Sequence, residues 1–293
     1  MRCHIAFIPA IVFSLGSTCL AEPILVFTYS GPCNSSGQEG YATPLVYVKN
    51  KQIVEAPEGF VQKSENGALI PIPEFHRGKK YYLYSSDGRH TGFVRFLETV
   101  VTDRSYGAVD QSKVVTELFK EDKNCVWDAG IVTDFPLSAV QESVTRVNVL
   151  QLKNMALKYS KDYLEKRTKN AKIKRELLKA IAVRHFGLSK NLPIVVADAR
   201  YIEETQERRR GAGFVAVWSI LKERWNLIFD SFADEPDYIG IGGPTPSFGG
   251  IADLDSDGIA EVIGHDVGCD TVYKYIGKRL KLFASSCNGY ITE

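Results

Sequence analysis

The 293-residue sequence lacks an excess of charge of either sign and has no long internal hydrophobic run. Its 36 Lys and Arg residues stand against 35 Asp and Glu residues, which gives a formal net charge of +1. A nucleic-acid-binding protein of this size normally has a clear basic excess, so we expect no nucleic-acid partner. A membrane-spanning helix takes about 20 apolar residues, and beyond the first residues no segment reaches this length. We therefore expect no transmembrane segment in the mature chain.

The sequence also lacks the motifs that reveal common enzymes. It contains no G-x-S-x-G elbow, H-E-x-x-H motif, G-x-G-x-x-G loop or P-loop. His265 is followed by Asp266, and the two could form an acid–base pair. A lone histidine at the end of a strand is more often a polar edge residue. We therefore favour a non-catalytic protein and name no catalytic residue.

The first 21 residues have the features of an export signal. Arg2 provides a positive start, residues 5–15 form an apolar run, and Cys19-Leu20-Ala21 resembles a cleavage site. The apolar run is too short to anchor the chain in a membrane. Lipid attachment at Cys19 is the alternative, but the residues before it are a poor match for that reaction. We expect a signal peptide over residues 1–21 and a secreted or periplasmic protein that begins at Glu22.

The cysteines predict disulfide bonds. Of the six cysteines, two lie in the predicted signal segment, which leaves four in the mature chain. An even number of cysteines in an exported protein favours disulfides, and four cysteines allow three pairings. Cys269 and Cys287 flank one predicted hairpin, so we predict a Cys269–Cys287 bridge, which leaves Cys33 to pair with Cys125. A thiol nucleophile or a metal ligand is the alternative, but no C-x-x-C motif supports it.

The apolar pattern divides the mature chain into three predicted segments. Residues 22–137 contain short β-branched and aromatic runs separated by turn residues, which predicts an antiparallel sheet. Residues 138–180 place apolar residues at helical spacing, and residues 181–293 return to a strand pattern. We predict a mainly β protein with a helical insert (α+β): an N-terminal β domain, a central helical segment and a C-terminal β module.

The central segment carries a dense local positive charge between residues 166 and 175. Such a surface could contact an anionic partner such as a polysaccharide or lipid headgroups. Because Asp162, Glu165 and Glu176 are interspersed and the total charge is near zero, we favour a solvated helix face.

The C-terminal segment contains an internal repeat. Residues 217–229 and 272–283 each have the pattern of a strand, a tight turn and a strand, and another strand pair precedes each of them. Each unit is then about four strands, the size of a propeller blade. Two units cannot close a propeller, so we expect them to pack as a sandwich or against the N-terminal sheet and the helices.

The most specific motif is an acidic loop between two predicted strands. Carboxylates at alternate positions of a tight loop supply the hard oxygen ligands that calcium prefers, and Gly258 permits the sharp bend. The predicted ligands are Asp253, Asp255, Asp257, the carbonyl of Ile259, and Glu261. An EF-hand is excluded because its closing Glu would fall at Gly264 and because its flanks would be helices. The alternative is a solvated acidic turn that binds no ion.

This loop resembles the FG-GAP repeat, also described as VCBS-type or integrin-α-like. Phe248-Gly249-Gly250 stands where that family has its Phe-Gly, and the acidic loop follows. In that family the loop joins two strands and holds a calcium ion, which implies the same role for the five residues named above. The resemblance is confined to the C-terminal part, and the first repeat copy has no acids at residues 185–191. Members of the family are mostly extracellular interaction modules.

These features predict an exported, calcium-binding β-repeat protein that acts as a non-catalytic interaction module for an extracellular protein or glycan. Four aromatic residues of the hairpins would suit such a surface where they are exposed, with alternate ones in the core: Trp218, Trp225, Tyr273 and Tyr275. The alternative is an exported hydrolase with a site between the two β regions, using His265, Asp266 and another acid. A structural envelope protein is a third hypothesis.

Overall fold

The computed structural model describes residues 24–31, 36–55, 61–63, 69–71, 79–104, 107–119, 128–137, 148–204, 209–235, 247–266 and 269–287. The predicted signal segment, Cys33 and Cys125 lie outside these residues. Over the described part, the order along the chain is nine strands, two helices and eight further strands. The predicted fold class, mainly β with a helical insert, is confirmed, whereas the predicted domain boundaries stay predictions.

The N-terminal strands close into an antiparallel barrel. Its strands are β1 (Ile24–Gly31), β2 (Glu39–Lys49), β6 (Lys80–Ser85), β7 (His90–Arg104), β8 (Gly107–Leu118) and β9 (Asp128–Thr133). The order β1-β9-β6-β7-β8-β2 returns to its start because β1 also pairs with β2. One apolar cluster of the barrel contains Phe27, Tyr29, Ala42, Tyr81, Leu83, Val94, Phe96, Val114 and Val132.

Three short strands complete the N-terminal part. The strands are β3 (Gln52–Glu55), β4 (Val61–Lys63) and β5 (Leu69–Pro71). β3 pairs with the second half of β2, and β4 pairs with β5 in a separate hairpin. The turn between β2 and β3 is formed by Asn50 and Lys51, both with positive φ, as expected for a tight hairpin turn.

Two helices follow the barrel, α1 (Val149–Arg167) and α2 (Ala171–Ala180). Asparagine side chains begin both helices: Asn148 accepts a hydrogen bond from Leu150 N, and Asn170 accepts from the amides of Lys172 and Ile173. Such caps satisfy amides that have no partner within the helix. None of the helices in the described residues is both long and apolar enough to span a bilayer.

The charged face of the helices is neutralised locally. Arg167 pairs with Asp230, Lys172 with Glu203, Lys174 with Glu165, and Lys179 with Glu176. The side chains of Arg167, Lys172 and Lys179 are about half-exposed or more, whereas Lys174 is 19% exposed. This arrangement supports the interpretation of a solvated helix face.

The repeat forms two four-stranded antiparallel sheets with consecutive strand order. The first contains β10 (Ala182–Ser189), β11 (Leu192–Glu204), β12 (Arg209–Leu221) and β13 (Arg224–Glu235). The second contains β14 (Ser247–Ala252), β15 (Glu261–Asp266), β16 (Cys269–Ile276) and β17 (Arg279–Cys287). The prediction of four strands in each unit is therefore confirmed.

The helices, the two sheets and the barrel are stacked in that order. One face of the first sheet packs against the helices through a cluster that includes Leu164, Leu177 and Phe214. Its other face packs on the second sheet, where Phe186 and Phe248 stack with ring centroids 5.2 Å apart. The opposite face of the second sheet packs on the outside of the barrel.

The aromatic residues of the two hairpins do not form an exposed surface. Trp218 is buried beneath α1, and Trp225, which is half-buried, stacks on Tyr159 with ring centroids 5.2 Å apart. Tyr273 and Tyr275 are partly buried against the cluster between the two sheets. Trp218 is therefore the one core residue of these four, and none of the four is exposed. Trp218 is buried because the helices pack over the first sheet.

Candidate metal centre

The acidic loop connects β14 to β15 and is closed by its own side chains. Asp253 accepts hydrogen bonds from the amides of Asp257 and Gly258, at 3.1 and 3.2 Å. Asp257 accepts from the amide of Ile259 at 2.8 Å. Gly258 has a φ of +85°, a conformation that side chains with a Cβ rarely adopt. The sequence of alternating aspartates and a glycine therefore folds into a tight turn at this position.

Three of the predicted ligands lie together in the interior. Asp253, Asp255 and Glu261 each place one carboxylate oxygen within 4.8 Å of the others. Their exposed fractions are only 7%, 3% and 1%. Buried carboxylates at this separation repel one another strongly unless a cation lies among them. The group could therefore hold a metal ion.

Glu261 is the most buried of the three. Its Oε2 accepts a hydrogen bond from the amide of Leu254 at 2.9 Å, whereas its buried Oε1 accepts none. The pKa of Glu261 is raised to about 8, mainly by burial and in part by the charges of Asp255 and Asp257. Burial also raises the pKa of Asp253 above its ordinary value. A buried acceptor without a donor is costly, so Oε1 is suited to a cation.

The other two predicted ligands belong to less buried residues. The Asp257 side chain is 41% exposed, and it is not one of the three clustered carboxylates. Ile259 donates its amide to Asp257, while ligation by its carbonyl stays a prediction. The structure therefore brings three of the five predicted ligands together.

Lys274 belongs to this site, although sequence reasoning missed it. Its Nζ donates a hydrogen bond to Asp255 Oδ2 and lies 3.6 Å from both Asp257 Oδ2 and Glu261 Oε1. Burial lowers the pKa of Lys274, but its hydrogen bond to Asp255 and the charges of Glu261, Asp255 and Asp257 raise it by more. The pairing of β15 with β16 brings Lys274 there: Val262 pairs with Tyr273, and the next positions outward are Glu261 and Lys274.

The loop and the strand before it contact the layers on both sides of the second sheet through apolar packing and hydrogen bonds. Leu254 is fully buried in the cluster with the barrel, and Ala260 is buried in the cluster with the first sheet. The Ala260 amide donates to the Leu188 carbonyl at 2.6 Å. On the other side, the Ile251 amide donates to the Ser86 carbonyl at 3.1 Å. The candidate metal site thus lies in the second sheet, between the first sheet and the barrel.

The remaining predicted site residues are placed only by their backbone. His265 and Asp266 end β15, and their side chains are outside the described part of the chain. Cys269 lies directly opposite Cys287 in the register of β16 and β17, a position compatible with the predicted bridge. Both disulfides stay predictions. In the first sheet, the connection equivalent to the acidic loop is the short turn of Lys190 and Asn191.

Comparison with protein-family models finds no match, and searches of the curated proteins and of the solved structures find none either. The resemblance to the FG-GAP repeat therefore stays a prediction. The acidic loop does join two neighbouring strands of a four-stranded sheet, which is the arrangement that the resemblance implies. Any functional conclusion has to come from the site itself.

Proposed function

We propose that the protein binds one calcium ion at Asp253, Asp255 and Glu261, with Asp257 and the Ile259 carbonyl completing the ligands. We propose further that it is an exported, non-catalytic interaction module for an extracellular protein or glycan. The observation that carries the metal site is the buried Glu261 Oε1, which accepts no hydrogen bond and lies beside two buried aspartates.

The ligand types favour calcium over the other common ions. All of the proposed ligands are oxygen atoms, which suits hard cations and disfavours zinc and copper, for which Cys and His are the usual partners. Calcium takes 6–8 oxygens in flexible geometry, whereas magnesium demands a near-ideal octahedron and retains several waters. A loop with three or four carboxylates and a backbone carbonyl is better matched to calcium.

The position of the site supports a structural role for the ion. Leu254 and Ala260 belong to the loop, and they pack into different apolar clusters on the two sides of the second sheet. A bound ion that removes the repulsion among the carboxylates would stabilise both contacts. Extracellular calcium modules have dissociation constants of about 10⁻⁴ to 10⁻³ M, so we expect weak binding.

The proposed interaction surface is the outer strand of the second sheet. Leu282 and Phe283 on β17 are 59% and 44% exposed, and Ile276 at the end of β16 is 43% exposed. Exposed apolar residues that lie close together often mark an interaction surface. The surface is adjacent to the metal site through Lys274, whose Nζ lies 5.5 Å from the centroid of the Phe283 ring.

The hydrolase hypothesis has less support. Its site would lie between the barrel and the C-terminal module, where the described residues pack as a buried apolar cluster that includes Leu45, Ile131 and Ile263. Desolvated aliphatic side chains supply no general acid, base or nucleophile. We therefore retain the interaction module as the proposed function.

Thermal melts with calcium and with chelator test the metal proposal. The mature chain is expected to melt a few degrees higher when calcium exceeds its dissociation constant about tenfold, which corresponds to about 1.4 kcal/mol. Asp253→Asn should lose this shift. Glu223→Gln is the matched control, since it removes one charge from an exposed turn of the other sheet. Equal shifts in the wild type and in Asp253→Asn would refute the proposed ligands.

A glycan array and binding assays with purified extracellular proteins test the interaction role. Binding should require calcium and should fall when Leu282→Asp is introduced. A matched change on the neighbouring sheet, Leu227→Asp, should have little effect, because Leu227 is also exposed but belongs to β13. Partners that bind equally in calcium and in chelator, or equally to both variants, would contradict a calcium-dependent surface on β17.

A further inference from the structure

We propose that Lys274 competes with the metal ion for the same carboxylates and thereby sets the affinity of the site. This inference rests on the proposed function, because it names the residue that controls the same metal centre. In the absence of metal the Lys274 ammonium is the internal counter-ion of the loop. Metal binding then requires the ammonium to leave the carboxylates.

The contacts of Lys274 carry this inference. Its ammonium hydrogen-bonds Asp255 and lies 3.6 Å from oxygens of Asp257 and Glu261. The glutamate oxygen that it approaches is Oε1, the buried atom that accepts no hydrogen bond. The ammonium therefore faces the same oxygens that would ligate an ion, and it meets three of the four carboxylates of the loop.

Two cations cannot share these oxygens without a large cost. A divalent ion and an ammonium a few ångströms apart repel strongly at the low effective dielectric of a site that is largely buried. The lysine can withdraw, since its four-carbon stem has several rotatable bonds. Asp255 and Glu261 cannot, because they are held in the interior of the sheet. The lysine is thus the group expected to move.

The structure offers the ammonium a second position. Lys274 is 19% exposed, so its side chain already reaches the surface. The Phe283 ring lies 5.5 Å from Nζ and is 44% exposed. Phe283 is the extra residue of a bulge in β17, since Val272 pairs with Ala284 and Tyr273 pairs with Leu282. The face of an exposed ring is a favourable position for an ammonium that has been displaced.

The expected size of the effect follows from the population of the open site. If the ammonium occupies the carboxylates about 90–99% of the time, the apparent dissociation constant rises about 10–100-fold over that of the open site. Removal of the ammonium should therefore tighten calcium binding by about this factor. It should also lower the melting temperature in chelator, because the carboxylates lose their counter-ion.

Calcium titrations of Lys274→Met, Lys274→Gln and the wild type test the inference. Two neutral side chains are used so that one remains if the other fails to fold. Lys281→Met is the matched control, because Lys281 pairs with Lys274 in the register of β16 and β17 but is exposed. The expected result is an affinity about tenfold or more tighter in both Lys274 variants and unchanged in Lys281→Met.

Movement of the ammonium has its own readout. Acetylation of individual lysines, followed by mass spectrometry, should show that Lys274 reacts slowly in chelator and faster when the wild type is saturated with calcium. Lys281 should react equally in both conditions. Unchanged or slower acetylation of Lys274 in saturating calcium would overturn the proposed displacement.

The outcomes separate this inference from the proposed function. Calcium binding in the wild type with equal or weaker binding in the Lys274 variants would overturn the competition and leave the metal site intact. Tighter binding in Lys281→Met as well would assign the effect to overall charge and would also overturn it. An absence of calcium binding in the wild type and in every variant would refute the metal site, and the inference with it.

Discussion

Replacement of Leu254 by Ala is expected to destabilise the fold by far more than a typical loop substitution. Leu254 lies between two of the proposed ligands, yet its side chain is fully buried. It belongs to the cluster in which residues of the second sheet, such as Ile263 and Val272, meet residues of the barrel, such as Leu45. Removal of this side chain therefore leaves a cavity between two layers.

The magnitude follows from burial and cavity formation. Burial of a leucine side chain contributes about 1.5–3 kcal/mol. Leucine-to-alanine changes in well-packed cores cost about 2–5 kcal/mol, since the surroundings collapse only in part. Leu254 has packing partners in both layers, which limits collapse, so we expect a loss of about 3–5 kcal/mol in the free energy of unfolding.

Urea unfolding followed by circular dichroism measures this loss. Leu282→Ala is the matched control, because Leu282 is 59% exposed and should cost less than about 0.5 kcal/mol. Both variants should be measured in chelator, so that metal binding does not contribute. A loss below about 1 kcal/mol for Leu254→Ala, or equal losses for the two variants, would refute the packing of the loop against the barrel.

Three further predictions concern the same region. In chelator, the free energy of unfolding should fall as the pH rises from 4.5 to about 8, because burial raises the pKa of Glu261 and the folded state then binds more protons than the unfolded state. Urea titrations at several pH values should find that this dependence on pH is weaker in Glu261→Gln. An equal dependence in the wild type and the variant would contradict the assignment to Glu261. Gly258→Ala should lower the free energy of unfolding by about 1–2 kcal/mol from backbone strain alone, because φ is +85° and nothing lies within 4 Å of the added Cβ. An unchanged urea midpoint would contradict this backbone conformation. The mature chain in denaturant should show no thiol open to alkylation until a reductant is added, and any alkylated cysteine in the mass spectrum before reduction would contradict the two predicted disulfides.

The repeat could be predicted from the sequence because it is a local feature. Each hairpin places two strands next to each other in the chain, and a short turn fixes their pairing. The strands β12 and β13 and the strands β16 and β17 accordingly pair as predicted. The acidic loop could be identified for the same reason, since its aspartates, its glycine and Glu261 lie within nine consecutive residues.

Closure of the barrel could not be predicted from local patterns. The ring requires pairing of β1 with β9 and of β2 with β8, strands that are far apart in the sequence. Alternating apolar residues define the faces of a strand but not its neighbour. The sequence did not determine which of the four hairpin aromatic residues is buried for a related reason, because the helices that cover Trp218 come from an earlier segment of the chain.

Lys274 is the clearest case of a site residue that depends on register. It follows Glu261 by thirteen positions, and its charge alone does not distinguish it from other lysines of the chain. Only the pairing of β15 with β16 brings it to the carboxylates. Because directly opposite side chains of paired strands lie close together, cross-strand charge pairs should be examined whenever an acidic loop adjoins a hairpin.

Calorimetric titration of calcium into the mature chain, beside Glu261→Gln, tests the central claim most directly. The account predicts one ion per chain, a dissociation constant of about 10⁻⁴ to 10⁻³ M, and binding that is at least tenfold weaker in the variant. Folding of both proteins is checked by circular dichroism before the titration. Binding of equal strength in the two proteins, or no heat of binding in the wild type with calcium at about 10 mM, would contradict the account.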